Sequence, residues 1–182
     1  LRHAMVGDVP QPLSGTGHLV YNGELYNWPD LEEAYDLVAE NDTELLFSLL
    51  EQGDTRTLIP GLLDGVFAYA YLHAGQLLLR RDLLGVKPLW YAHDEQGFVF
   101  ASEAKAIQAI GRVPRELHPR SELRYYIDAD ELDVTVQAFS FPETIVPLTQ
   151  TIQQAIRDRI PDSGRAGVLF SGGLDSSLIA KV

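Results

Sequence analysis

Cysteine is absent from these 182 residues. That excludes disulfides, thiolate metal sites and a cysteine nucleophile within them. Lysine is scarce, occurring only at Lys87, Lys105 and Lys181. With a net charge of −12 and no basic stripe, the chain is not expected to bind nucleic acid. An acidic, lysine-poor composition fits a salty cytoplasm and a GC-rich genome equally well. No apolar run approaches the length of a bilayer span, so a membrane protein is not expected and a cytoplasmic one is. The opening Leu1-Arg2-His3-Ala4-Met5 is neither an initiator methionine nor a signal peptide, and it reads as the interior of a longer gene. What is present is ordinary: 46% apolar residues, enough chain for one well-buried domain and the start of another.

The first two thirds read as antiparallel sheet. Three pairs of β-prone runs surround turn residues, the signal of a hairpin. The first pair, His18 to Tyr21 and Glu24 to Tyr26, flanks Asn22-Gly23. The second, Val66 to Leu72 and Gln76 to Arg80, flanks His73-Ala74-Gly75. The third, Leu89 to Ala92 and Phe98 to Ala101, flanks His93 to Gly97. Helices are expected over Pro29–Ala39, Thr43–Gln52 and Ser102–Ile110; Asn41-Asp42-Thr43-Glu44 has capping-box spacing, and Gly53 and Gly111 are stops. Pro114 to Tyr126 reads as irregular. Ile127 to Pro142 is mixed, with an alternating Val134, Val136 and Ala138. From Val146 to Ile160, Leu148, Ile152, Ala155, Ile156 and Ile160 recur at helical spacing. The domain boundary is expected near Arg120 to Ser140.

The most specific string is at the end. Ala166 to Phe170 is a short apolar run with strand character, followed by Ser171-Gly172-Gly173-Leu174-Asp175-Ser176-Ser177 and an apolar helix. Two glycines let a backbone turn sharply and approach an anion. Successive N–H groups form a concave nest, and a helix start adds unpaired N–H groups and a positive dipole end. No lysine follows the second glycine, so this is not a Walker A loop. Asp175 beside polyphosphate would be repulsive unless a metal intervened, although a helix-cap role is equally open from the residues alone.

That string resembles the pyrophosphatase loop of ATP-pyrophosphatase enzymes, which adenylate a carboxyl or carbonyl oxygen and release pyrophosphate. The resemblance implies that Leu169, Ser171, Gly172, Gly173, Asp175, Ser176 and Ser177 bind ATP, with Asp175 helping to hold Mg. Upstream, Gln11-Pro12-Leu13, Tyr21-Asn22-Gly23-Glu24-Leu25-Tyr26-Asn27, Asn41-Asp42-Thr43-Glu44, Gly65-Val66-Phe67-Ala68, Arg81 to Leu89 and Ala101 to Ala106 follow in order. Together they resemble the glutamine-hydrolysing half of glutamine-dependent asparagine synthetases, and the match spans nearly the whole chain, weakest between Gly111 and Pro161.

The resemblance implies an α+β fold. A four-layer α/β/β/α sandwich of the N-terminal-nucleophile-hydrolase type would occupy residues 1–125, followed by a linker at 126–145. Residues 146–182 would be the first strand, loop and helix of an α/β PP-loop domain. It assigns Asn22 and Gly23 to an oxyanion hole, which acyl chemistry needs. Arg2 would grip the glutamine α-carboxylate, which suits a bidentate guanidinium. Glu24 and Asp42 would receive the α-ammonium group. Taken alone, Asn22-Gly23 reads more readily as a type I′ turn; a solvated terminal residue is the lesser alternative for Arg2, and for Asp42 a first-turn helix role is compatible with the binding one. Arg81-Asp82 and Lys87-Pro88 are expected to be structural, and the five histidines show no metal spacing.

In such enzymes the nucleophile is an N-terminal cysteine. Its absence leaves two readings: a fragment lacking that segment, or a relic of the kind β-lactam synthetase keeps. Retention of Asn22, Gly23, Glu24 and Asp42 favours the fragment, since a nucleophile and its stabilisers act as a unit. The whole protein is thus expected to make asparagine from aspartate, ATP and glutamine, through a β-aspartyl-adenylate and transferred ammonia, as a homodimer. The chain alone is expected to be inactive and to bind ATP weakly. The alternatives are a related amide- or lactam-forming synthetase with another carboxylate, or a glutamine-binding regulatory module without a nucleophile.

Overall fold

The computed structural model describes residues 10–52, 62–136, 146–160 and 167–182. They fall into two compact units, Leu1–Phe139 and Ser140–Val182.

The first unit is built on a six-stranded antiparallel sheet. Its strands are β1 (Leu13–Ser14), β2 (His18–Leu25), β3 (Gly65–His73), β4 (Gln76–Arg81), β8 (Ser121–Tyr126) and β9 (Glu131–Val136), adjacent in that order. A second sheet has the order β6 (Gly97–Ala101), β5 (Trp90–Asp94), β7 (Arg115–Glu116). Alternation along the strands creates two cores. Leu19, Tyr21, Leu25, Phe67, Tyr69, Tyr71 and Leu78 face helices α1 (Trp28–Ala34) and α2 (Asp42–Glu51), meeting Leu31, Leu45, Leu46, Leu49 and Leu50. Ala68, Ala70, Leu79, Leu123 and Tyr125 turn the other way and meet Leu89, Tyr91 and Leu117. Helix α3 (Ala104–Ala109) lies against β5 and β6 and buries Ile107. The layers are therefore helix, sheet, sheet, helix, as the sequence resemblance implied.

Several local expectations change. Asn22-Gly23 is no hairpin turn: β2 runs through it in unbroken register, with Asn22 opposite Ala68 and Gly23 opposite Phe67. The full-length partner β3 overrides the local turn preference of Asn-Gly. Helix α1 stops at Ala34 rather than Ala39, because Asp36 turns left-handed at φ 51°, a conformation that a short polar side chain tolerates. Pro114 to Tyr126 is not irregular. Pro119 lies in the loop before β8, and β8 pairs with β4 from Glu122 to Tyr126. The expected linker begins too early, since β9 pairs with β8 from Glu131 to Val136 and closes the large sheet. Ala138 and Gly53 lie outside the described residues.

The hairpins between β3 and β4 and between β5 and β6 form as expected. Ala74 and Gly75, at φ 47° and 76°, supply the pair of left-handed residues a type I′ turn needs. Helix α2 is capped by the Asn41 side chain, which accepts from Glu44 N–H at 2.9 Å. The Glu44 carboxylate reaches back to Glu40 N–H at 2.9 Å, one residue before the position a capping box uses.

The second unit carries helices α4 (Leu148–Arg157) and α5 (Leu174–Lys181), neither with a buried residue. The strand expected over Ala166–Phe170 does not form across its described part, 167–170, which has no ladder partner among the described residues. A parallel strand exists only through its neighbours.

Candidate functional site: the free edge of β2 and the serine-glycine loop

Among the described residues, strand β2 has a neighbour on one side only beyond Leu19, because β1 stops after pairing Leu13 with Leu19 and Ser14 with His18. On a strand, the N–H groups of alternate residues point to the same edge. Tyr21 N–H points to the free edge and donates to the Gln11 side-chain oxygen at 2.8 Å. Leu25 N–H points there too and donates to Asp42 Oδ2 at 3.0 Å. Between them lies Gly23 N–H, which no acceptor reaches among the described residues. A backbone donor left open between two that side chains satisfy is a place for an exogenous oxygen.

Gly23 is dictated by close packing. Its φ is 156°, and a Cβ there would stand 2.2 Å from the Val66 carbonyl oxygen and 2.5 Å from Phe67 Cα. Asn22, half-buried, and Glu24, exposed, project from the face of β2 opposite to Tyr21 and Leu25. Asp42 arrives from the start of α2. Its Oδ2 accepts from the Tyr21 hydroxyl at 2.8 Å as well as from Leu25 N–H, and its Oδ1 accepts a longer bond of 3.3 Å from Thr43. Burial, followed by the charge and hydrogen bond of Asp42 and then the charge of Glu24, pushes the Tyr21 phenol far above its ordinary range. Both acidic groups thus act around the same end of β2. Arg2 lies outside the described residues.

Other polar groups hold the scaffold. Buried Asp82 accepts from the N–H groups of Val86 and Lys87 at 2.8 and 2.9 Å, and from Phe67 N–H at 3.3 Å. Arg81 bridges Gly85 O, Leu117 O and Glu116. This confirms the structural role expected for Arg81 and Asp82. Glu51, at the end of α2, accepts from Thr16 N–H, Thr16 hydroxyl, Gly17 N–H and Tyr71 hydroxyl, all at 2.8–2.9 Å. Its own burial would raise its pKa, but those donors prevail and lower it to about 2. Sequence reasoning passed over Gln11 as a ligand of β2, and Tyr21 and Glu51 altogether. Gln11 and Tyr21 stood inside the quoted motifs, whereas Glu51 makes contacts 34 and 35 residues away that no local pattern announces.

In the second unit, Gly172 turns at φ 77° and Gly173 opens α5 with no side chain capping it. The Ser171 hydroxyl lies 3.1 Å from that of Ser176 and 3.3 Å from Gly173 N–H. Among the described residues, no side chain caps the first N–H groups of α5. Asp175 is exposed in the first turn of α5, and Ser177 N–H donates to Gly173 O at 3.0 Å, inside the helix. Leu169 is 98% exposed. No cluster of metal-binding side chains occurs, and no helix is long and apolar enough to cross a membrane, among the described residues.

Solved structures share the four-layer arrangement of helices and sheets. The glutamine phosphoribosylpyrophosphate amidotransferase of B. subtilis superposes with a TM-score of 0.60 at 22% identity, covering 72% of this chain and 32% of that one. At the sequence level, the chain belongs to the glutamine amidotransferase domain family, whose model matches residues 2–158, and an asparagine synthase model matches residues 147–182. Curated relatives named as glutamine-hydrolysing asparagine synthetases are similar to it along most of its length. A putative glutamine-hydrolysing asparagine synthetase of Methanocaldococcus jannaschii is 29% identical over 90% of the chain and 35% of the relative. Asparagine synthetase B of Escherichia coli K12 is 30% identical over 90% of the chain and 32% of the relative. The chain spans about a third of the length of these curated relatives.

Proposed function

We propose that the first unit binds glutamine along the free edge of β2 and supports hydrolysis of its side-chain amide. The observation that carries this reading is the open Gly23 N–H beside Asn22. A thiolate attacking the amide carbon turns its carbonyl into an oxyanion; protonation of the nitrogen and collapse of the adduct release ammonia and leave a γ-glutamyl thioester, which water hydrolyses to glutamate and the free thiol. The Gly23 N–H and the Asn22 side-chain amide would stabilise that oxygen. Asp42, anchored about 7 Å further along the strand at Leu25, and Glu24 would take the α-ammonium group. Arg2 would take the α-carboxylate. These residues hold no cysteine, so the reading requires a nucleophile from outside them.

The whole protein, on this proposal, uses the ammonia to convert aspartate to asparagine, with ATP activating the β-carboxylate as an adenylate. The serine-glycine loop fits the phosphates of ATP: its helix start is uncapped and its hydroxyls converge. Ser171, Gly172, Gly173, Ser176 and Ser177 would hold them, with Leu169 beside the loop and Asp175 contributing to a Mg site. Mg would neutralise phosphate charge. The deciding experiment follows glutamate release and aspartate-dependent pyrophosphate release by the full-length gene product. Glutamate release that aspartate and ATP leave uncoupled from asparagine would redirect the proposal to another acceptor. No glutamate release at all would overturn it.

A further inference from the structure

We propose that Tyr21 is a positioning residue for glutamine recognition: with Leu25 N–H it holds one oxygen of Asp42, so that the other oxygen is presented to the α-ammonium group. The inference rests on the reading of Asp42 given above. Asp42 is the first residue of α2, where a carboxylate ordinarily turns toward the unpaired N–H groups of its own helix. Here it does not. Both strong donors to it, the Tyr21 hydroxyl at 2.8 Å and Leu25 N–H at 3.0 Å, come from β2 and converge on Oδ2. Oδ1 is left with the Thr43 hydroxyl at 3.3 Å, so it retains capacity for a charged donor.

Tyr21 is itself fixed at every point. Its ring is 7% exposed within the helix-side core. Its backbone pairs with Tyr69 on one edge and bonds Gln11 on the other. A buried phenol between Asp42 and the charge of Glu24 remains protonated, and so remains a donor. The hydroxyl therefore acts as a stop that sets the direction of the carboxylate.

The test compares two probes, glutamine and glutaramate, which is glutamine without its α-amino group, by calorimetry on the full-length gene product. For Tyr21→Phe the Kd for glutamine should rise about tenfold, the scale of one lost hydrogen bond to a charged group. Glutaramate binding should be unchanged, which also verifies the fold. In turnover, KM should rise while kcat holds. Equal weakening of both probes, or no weakening of either, overturns the proposal. Asp42→Asn separates the two levels of the argument. If it leaves the preference for glutamine over glutaramate intact, the underlying assignment of Asp42 fails. If it removes that preference and Tyr21→Phe does not, only the role of Tyr21 fails.

Discussion

Gly23 and its neighbour Asn22 separate folding from chemistry at the scale of single residues. In Gly23→Ala, the new methyl group would stand 2.2 Å from the Val66 oxygen, which is backbone and cannot rotate away. The β2–β3 ladder must part locally. The variant should lose about 1–3 kcal/mol of stability, the range for overpacking a tight site, visible as a lower urea midpoint, and glutamine binding should fall with it. Asn22 is half-buried opposite Ala68 of the second core, so Asn22→Ala should cost about 1 kcal/mol, the ordinary scale of a point substitution. Glutamate release by the full-length gene product should nevertheless drop about 100- to 1000-fold, the usual loss for one oxyanion donor. Equal effects of Asn22→Ala on melting and turnover would contradict the oxyanion role. The sequence alone offered this pair as a turn, because Asn-Gly favours turns wherever nothing competes. Only the company of the other motifs pointed to chemistry, and only the backbone shows why glycine is required.

Elements are held to one another by two carboxylates whose removal has distinct signatures. Glu51 ties the end of α2 to the turn entering β2 through three hydrogen bonds, and to Tyr71 of β3 through a fourth. Its pKa falls from 4.5 in the unfolded reference to about 2 in the fold. A depressed carboxyl means that the unfolded chain takes up the proton first. The stability Glu51 contributes is therefore complete above about pH 4.5 and disappears as pH falls through about 2. Glu51→Gln should lower the melting temperature near neutrality, and the gap to the native chain should close across that acid window. A gap independent of pH would show that packing, not charge, made the contribution. Asp82 is different. It is 2% exposed and its carboxylate receives three backbone N–H groups. Asp82→Ala orphans them in a buried site and should cost more than about 2 kcal/mol by urea denaturation, with rapid amide exchange at Val86 and Lys87. The hairpins at Ala74-Gly75 and Gly97 were legible because turn chemistry is local. Strands β8 and β9 were not: Pro119 and the charges of Glu122, Arg124 and Asp133 mask them, and only the pairing of β8 with β4 and of β9 with β8 makes them strands.

Across the whole molecule, the two units differ in what they bury. Leu1–Phe139 has two cores, one on each face of the large sheet, with Leu19, Leu45, Leu46, Leu79 and Leu123 wholly excluded from solvent. Fully burying each such side chain stabilises by about 1.5–3 kcal/mol. In Ser140–Val182, helices α4 and α5 have no fully buried residue: Ile152 and Ile156 are only half-buried, and Leu148, Leu169 and Leu174 are 74%, 98% and 84% exposed. The sequence showed the helical period of α4 and the loop before α5, since both are local patterns, but periodicity says only which face is apolar and not whether anything covers it. Isolated helices of this length are marginal in water, because nucleation is costly and propagation short. Amide exchange of this chain should therefore divide by unit. The central β2, β3 and β4 amides should exchange only through global unfolding, whereas those of α4 and α5 should exchange through local opening of near-zero free energy. Saturating Mg-ATP tests the loop at the same time. Protection that rises at Ser176 and Ser177 on adding the nucleotide would show that the uncapped start of α5 holds phosphate in these residues alone. Unchanged exchange there, with β2–β4 still protected, is the expected outcome, because an anion site on an otherwise uncovered helix must first stabilise the helix that forms it.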